Sequence, residues 1–480
     1  MKTISLCTIA LSLCLTAARA EVRMPAIFGD GMVLQREDSA ALWGRAEPGK
    51  SVTVFTSWNG KRYRTRTGSD GRWRLRVETG PAGCGHTVTV TEGNTLRFDD
   101  VALGEVWLCS GQSNMEMPVK GFVGQPVEGA AEAISTSTDP GLRLFSVAQH
   151  CSPSPCEGLD GRWSEASPAS VAEFSATAYF FGRMLRRALG VPVGLVKSSW
   201  NGTSIERWMS RESLETAFAG EVPLPDTTQA ELFRHAANTG LYNGMIAPLA
   251  GYGIRGVIWY QGESNRHDPT LYGRLFPVLV ETWRRAWDIG PFPFYYVQIA
   301  PYEYRDPGHN SALFREVQTL LQERVPGTAM VALTDLGEAE CIHPSRKREV
   351  GERLARLALT RDYGQQGYES EAPLCRSLEI RGDRVELHFS HAPLGLCAQG
   401  PLEGLFEVAG ADRVFHPAHA RISGNKVIVR SDRVEHPEAV RYCFRDFCTG
   451  TLYNTFGHPV PSFRTDDWPL LPPPPGPERK

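Results

Sequence analysis

The sequence predicts an α/β/α sandwich flanked by two β-rich regions, and three observations carry that reading. Between residues 101 and 365, short apolar runs alternate with amphipathic helical stretches, the pattern of a mostly parallel sheet covered on both faces. On either side the rhythm changes to short alternating strands separated by Gly- and Asp-bearing turns, which reads as β-sandwich-like structure with one buried face per strand. The length of 480 residues fits roughly three units of about 150 residues each.

Taken in order, residues 1–20 read as a signal peptide. Lys2 is followed by an apolar run from Ile4 to Ala17, then by Ala18-Arg19-Ala20, a small-residue cleavage pattern. This predicts a mature chain from Glu21 and a secreted or periplasmic location. The N-terminal β region, 21–100, has strands at 40–44, 51–55 and 72–77, with turns at Trp58-Asn59-Gly60 and Ser69-Asp70-Gly71. In the α/β unit, 101–365, strands are expected at 106–109, 191–196, 254–260, 294–299 and 329–333. Helices are expected at 174–189, at 270–287, around Leu313 to Leu321, and from Pro344 onward. The C-terminal β region, 366–470, has strands at 378–380, 385–389 and 426–430, and 471–480 is a proline-rich tail.

Composition excludes several classes. Hydrophobic content of 41% with 22% charged residues is that of a folded globular chain, not a disordered one. A net charge of −3 lacks the basic excess of a nucleic-acid binder. No segment after the leader reaches the roughly 18 apolar residues of a membrane span. The chain has eleven cysteines, two of them in the leader, and no C-x-x-C or H-E-x-x-H pattern, so neither a metal nor another cofactor is predicted. Cys151 with Cys156 and Cys443 with Cys448 are the closest candidate disulfides.

Four polar segments follow four predicted strands, where an open parallel sheet presents its ligand site. The first, Ser110-Gly111-Gln112-Ser113-Asn114-Met115, puts a serine on a glycine turn. Such a hydroxyl needs a neighbouring base before it can attack a carbonyl. The second, Ser198-Ser199-Trp200-Asn201-Gly202-Thr203, has a glycine that lets backbone amides approach a substrate oxygen. The third, Trp259-Tyr260-Gln261-Gly262-Glu263-Ser264-Asn265, offers a neutral amide donor in Gln261. The fourth runs from Asp335 to Pro344 and carries His343, with Glu340 three residues earlier or Asp335 at the strand end as its acid partner. Taken singly, each is a cap, a turn or a loop brace. Together, in chain order after four of the expected strands, they are the parts required for acyl transfer.

These segments resemble those of the sialate O-acetylesterase family within the SGNH (GDSL-like) hydrolase superfamily. The resemblance rests on Gly111-Gln112-Ser113-Asn114-Met115, on residues 259–265, and on Ile342-His343-Pro344 with Lys347. Outside these blocks it extends to residues 30–35, 241–249, 452–454 and 461–466. It implies a flavodoxin-like α/β/α fold and hydrolysis of O-acetyl groups on sugars through an acyl-enzyme. It further implies Ser113 as nucleophile, His343 as base, and an oxyanion hole made by the Ser113 and Gly202 N–H groups and the Gln261 side chain. The resemblance implies an aspartate three residues before the histidine, where this chain has Glu340, and relatives often carry aspartate at the position of Cys341; here Glu340 is the expected acid, with Asp335 in reserve. A sialate carboxylate would call for a guanidinium, for which Arg207 and Arg315 are candidates. Acetylated xylan or another polysaccharide is the rival substrate, and a non-catalytic carbohydrate-binding protein the remoter one. With an unshifted histidine as base, activity should fall below roughly pH 6.5.

Overall fold

The computed structural model describes residues 21–229, 231, 236–306 and 310–469; the predicted leader and most of the tail lie outside them. The central sheet begins with one long strand, β1 (Asn94–Gly111), which leads into the one-turn helix α1 (Ser113–Glu116). There follow β2 (Asp139–Ser146), β3 (Trp163–Ala166), α2 (Ala176–Leu189) and β4 (Val193–Ser199). Then come β5 (Gly256–Tyr260), α3 (Pro269–Trp287), β6 (Phe294–Val297), α4 (Ser311–Arg324), β7 (Thr328–Val331) and α5 (Lys347–Arg361). The strands lie in the order β7-β6-β5-β1-β4-β2-β3, all parallel except the antiparallel edge pair β2 and β3.

Period-two burial builds the three layers. On β1, Val106 and Leu108 enter one apolar cluster while Trp107 and Cys109 enter the other. On β5, Val257 and Trp259 divide from Ile258 and Tyr260 in the same way. Leu275, Phe276, Leu279 and Trp283 of α3, with Phe314 and Leu321 of α4, cover the first face. Phe180, Phe181 and Leu185 of α2, with Val350, Leu354 and Leu357 of α5, cover the second. The helices therefore fall two to each side of the sheet.

The N-terminal β region is not a separate body. β1 runs through the predicted boundary at 100/101: its first half pairs with the strand Gly83–Glu92 and its second half with β4 and β5. Val52, Val54, Val88 and Val90 accordingly share one apolar cluster with Trp208 and Trp283. The C-terminal region has two four-stranded antiparallel sheets around its own core, which includes Val385, Val427, Val408 and Tyr442.

Three local expectations change. The last helix starts at Lys347, not Pro344, because Ser345 donates its N–H and hydroxyl to Glu338 Oε1 and keeps 338–345 as a folded loop. Cys443 and Cys448 are bridged, whereas Cys151 and Cys156 are free thiols. The chain around the latter two is tied down separately, Ser152 N–H to the Gly240 carbonyl and Cys156 N–H to the Asn243 carbonyl. Finally, β2 and β3 had no counterpart among the predicted strands. Among the described residues no helix is long and apolar enough to cross a membrane.

Candidate active site

The carboxyl ends of β1, β4 and β5 are drawn together by their backbones. Gly111 ends β1 at φ +140°, and a Cβ there would lie 2.1 Å from the Tyr260 carbonyl oxygen, so only glycine fits. Gln112 N–H donates to that same carbonyl at 3.0 Å, and Trp200 N–H donates to the Gly111 carbonyl at 3.1 Å. Ser113 therefore leaves the sheet at a point fixed from both neighbouring strands. It is 4% exposed, and among the described residues its hydroxyl and its backbone N–H have no hydrogen-bond partner. Gly202 occupies an exposed turn at φ +66°, and its N–H is likewise without a partner among the described residues.

His343 reaches this rim through its neighbours. Asn114, next to Ser113, donates to the Ile342 carbonyl at 3.1 Å and to Glu263 Oε1 at 2.6 Å, and accepts from Lys347 Nζ at 2.5 Å. One buried asparagine thus joins the serine, glutamate and histidine loops. No direct hydrogen bond links Ser113 to His343 among the described residues; such contacts commonly tighten only when substrate is bound. Burial, and then the Lys347 charge, push the His343 imidazole down to about 4. Lys347 is itself buried and pushed down to about 7, against the pull of Glu263, whose own carboxyl is raised by burial.

Several predicted site residues do other work. Glu340 is exposed and pairs with Arg305 at 2.5 Å, so it turns away from the imidazole. Asp335 is a buried partner of Arg353, at 2.8 and 2.5 Å, and serves the packing of α5. The acceptor on His343 Nδ1 is instead Gln125 Oε1, at 2.7 Å. Gln261 sits at the rim, but its amide hydrogens go to the Thr203 carbonyl at 3.2 Å and to Asn265 Oδ1 at 2.7 Å. It braces the two loops in place of facing an oxyanion. Arg315 is fully buried, donating to Ser311, Ser462 and the carbonyls of Arg445 and Asp446, which fastens α4 to the C-terminal region. Arg207 is half-buried in the short turn Ile205–Trp208; its N–H donates to the Ser204 carbonyl, while its guanidinium has no ion pair or hydrogen bond among the described residues.

Two side chains at the rim had no assigned role in the sequence. Gln112 accepts the N–H groups of Gly262 and Ser264 at 3.4 and 3.3 Å, leaving its own amide hydrogens without a partner among the described residues. Gln125 lies between two glycines and a proline, a turn signal that marks the loop but not what it faces. Two groups that could share an ion, Glu369 with Glu371 and His391, and Glu379 with Glu386 and His388, are both in the C-terminal region. In each, a glutamate already faces an arginine, Arg361 on Glu371 and Arg381 on Glu379.

A mixed α/β sheet covered on both faces, with a serine hydroxyl unpartnered among the described residues at one strand end and a buried imidazole on an adjoining loop, has the parts of an esterase site. Comparison with known proteins then gives the family. A family model described as carbohydrate esterase, sialic acid-specific acetylesterase, matches residues 103–360. The chain is 32% identical to human sialate O-acetylesterase over 411 residues, covering 77% of this chain and 76% of the human one. The mouse sialate O-acetylesterase is 31% identical over 423 residues, with 75% and 77% covered. Among solved structures, a carbohydrate acetylesterase from Xanthomonas citri superposes with a TM-score of 0.84 at 35% identity, covering 93% of this chain and 100% of that one. The chain belongs to the sialic acid-specific acetylesterase family of carbohydrate esterases, and it is a carboxylic ester hydrolase that removes O-acetyl groups from carbohydrate.

Proposed function

We propose that Ser113 and His343 carry out this deacetylation in two steps on an SGNH-type α/β/α core, with O-acetylated sialic acid as the preferred substrate. The observation that carries the reading is the Asn114 clamp, which holds the unpartnered Ser113 hydroxyl and the His343 loop at one rim. His343 Nε2 takes the Ser113 proton as Oγ bonds to the acetyl carbonyl carbon. The N–H groups of Ser113 and Gly202, which have no other partner among the described residues, then donate to the resulting oxyanion. Collapse breaks the ester bond, and the sugar oxygen leaves with the proton held by His343. Water, deprotonated by His343, then attacks the acyl-enzyme and releases acetate. No metal or other cofactor has a part in these steps. Arg207 is the cation assigned to the sialate carboxylate, since Arg315 is enclosed in structural bonds. The leader, if cleaved near Ala20, would place this chemistry in a secreted or periplasmic setting.

The substrate is tested by acetate release from O-acetylated sialic acid against acetylated xylan at equal acetyl concentration. A higher kcat/KM on sialate is expected, and a higher value on xylan overturns the assignment. A fluorophosphonate should label the protein at Ser113 alone, read by peptide mass; labelling elsewhere moves the nucleophile. Because the base must be neutral and its pKa is lowered to about 4, kcat/KM should hold as pH falls past 6.5 and decline only through about 4. An acid limb at about 6.5 would show that the imidazole is not buried in the working enzyme.

A further inference from the structure

An imidazole that is to take a proton at Nε2 must carry its own proton on Nδ1, and whatever accepts from Nδ1 selects that tautomer. In this protein the acceptor is an amide. Gln125 Oε1 lies 2.7 Å from His343 Nδ1, while Glu340 and Asp335 are engaged by Arg305 and Arg353.

The loop that carries Gln125 holds it against the ring. Phe122 and Gln125 exchange both backbone hydrogen bonds at 3.0 Å, closing a tight turn. Gly121 and Gly124 take the left-handed positions at φ +84° and +72°, and a Cβ on Gly121 would lie 2.5 Å from the Gln125 carbonyl oxygen. Phe122 meets the His343 ring edge-on, with centroids 5.4 Å apart and planes at 70°. Just beyond the turn, Glu128 N–H donates to the Ser345 carbonyl at 2.9 Å, so the segment is tied to the histidine loop as well. The ring is therefore met by an acceptor and an aromatic face from a single turn.

We propose that Gln125 is the positioning residue of the base: it accepts the Nδ1 proton, leaves Nε2 as the proton acceptor, and stands where a carboxylate would complete a triad. The inference rests on Ser113 and His343 being nucleophile and base. A neutral amide orients the ring without stabilising the imidazolium as a carboxylate would. The groups facing the ring agree with a weakly basic imidazole. Lys347 on α5 is cationic, the Cys341 thiol donates to the His343 carbonyl, and the turn contributes only the uncharged Gln125 and Phe122.

The test compares kcat, KM and the pH profile of kcat/KM for the full chain and its Gln125→Ala, Gln125→Glu and Glu340→Gln variants, with Ser113→Ala as reference. Gln125→Ala should lower kcat about 10- to 100-fold and leave KM within about twofold, the signature of a lost base orientation. Gln125→Glu, which can only accept, should recover most of kcat and move the acid limb to higher pH by stabilising the imidazolium. A purely structural glutamine would not give the loss of kcat at unchanged KM in Gln125→Ala, and the near-isosteric Gln125→Glu keeps the test available if that variant does not fold. Wild-type kcat in Gln125→Ala, or an unmoved limb in Gln125→Glu, overturns the proposal. So does loss of kcat in Glu340→Gln without loss in Gln125→Ala, which would identify Glu340 as the partner. Acetate release by Ser113→Ala, in contrast, would refute the underlying nucleophile assignment whatever the Gln125 variants do.

Discussion

Ser113→Ala should lower acetate release by at least about 10³-fold with no measurable change in the urea midpoint of unfolding. The two halves of this expectation come from one observation. The hydroxyl has no hydrogen-bond partner among the described residues, so its loss orphans no buried donor or acceptor. The turn that presents it is held by main-chain bonds of Gln112 and Trp200, which alanine leaves intact. Stability should therefore stay within about 0.5 kcal/mol of wild type. On the proposed mechanism catalysis has no such reserve, because without Oγ no acyl-enzyme forms and only the backbone donors remain to polarise the ester. Activity within tenfold of wild type would remove Ser113 from the mechanism, and a large stability loss would mean that the hydroxyl has a structural partner.

The parts of this site that were legible in the sequence are those set by local geometry. Ser113, Gly202, Gln261 and His343 follow β1, β4, β5 and β7, and period-two apolar runs with amphipathic helices were enough to find those strands. Strand β2 was missed because it opens with Asp139-Pro140-Gly141, residues that read as a turn. What the sequence could not supply is competition between distant groups. Glu340 has the right spacing for an acid partner, yet Arg305, from another loop, claims it. Asp335 is claimed by Arg353 and Gln261 by Thr203 and Asn265, while Gln125 arrives from 218 positions away in the chain. Donors and acceptors of similar type were present at each place, and only the fold decides which of them meet.

The same reasoning makes Lys347 the most consequential side chain outside the reacting pair. Its side chain is 0% exposed, with the ammonium 2.5 Å from Asn114 Oδ1 and 5.6 Å from the centroid of the Tyr260 ring. Across Asn114 lies the buried Glu263 carboxyl, whose Oε2 has no partner among the described residues. Lys347→Met would leave Asn114 Oδ1 without its donor and the nearby Glu263 carboxyl without a cation across the amide, a loss of about 1–3 kcal/mol at neutral pH. The pH dependence separates charge from packing. Burial already raises the Glu263 pKa, and removing the ammonium raises it further. A group whose folded pKa lies above its unfolded one contributes stability that is complete below the unfolded value and is lost as pH rises through the folded value. The variant should therefore be less impaired near pH 4.5 than near pH 7, above which Lys347, itself pushed down to about 7, loses its charge in the wild type as well; urea midpoints across that range read the difference. Adding Glu263→Gln should restore much of the loss, since a neutral amide no longer needs the cation. In the same variant the acid limb of kcat/KM should move up, because Lys347 is the second cause of the low His343 pKa, yet stay below 6.5, because burial is the first. A deficit equal at all pH values and unrelieved by Glu263→Gln would assign the role of Lys347 to its packing against Tyr260 and not to its charge.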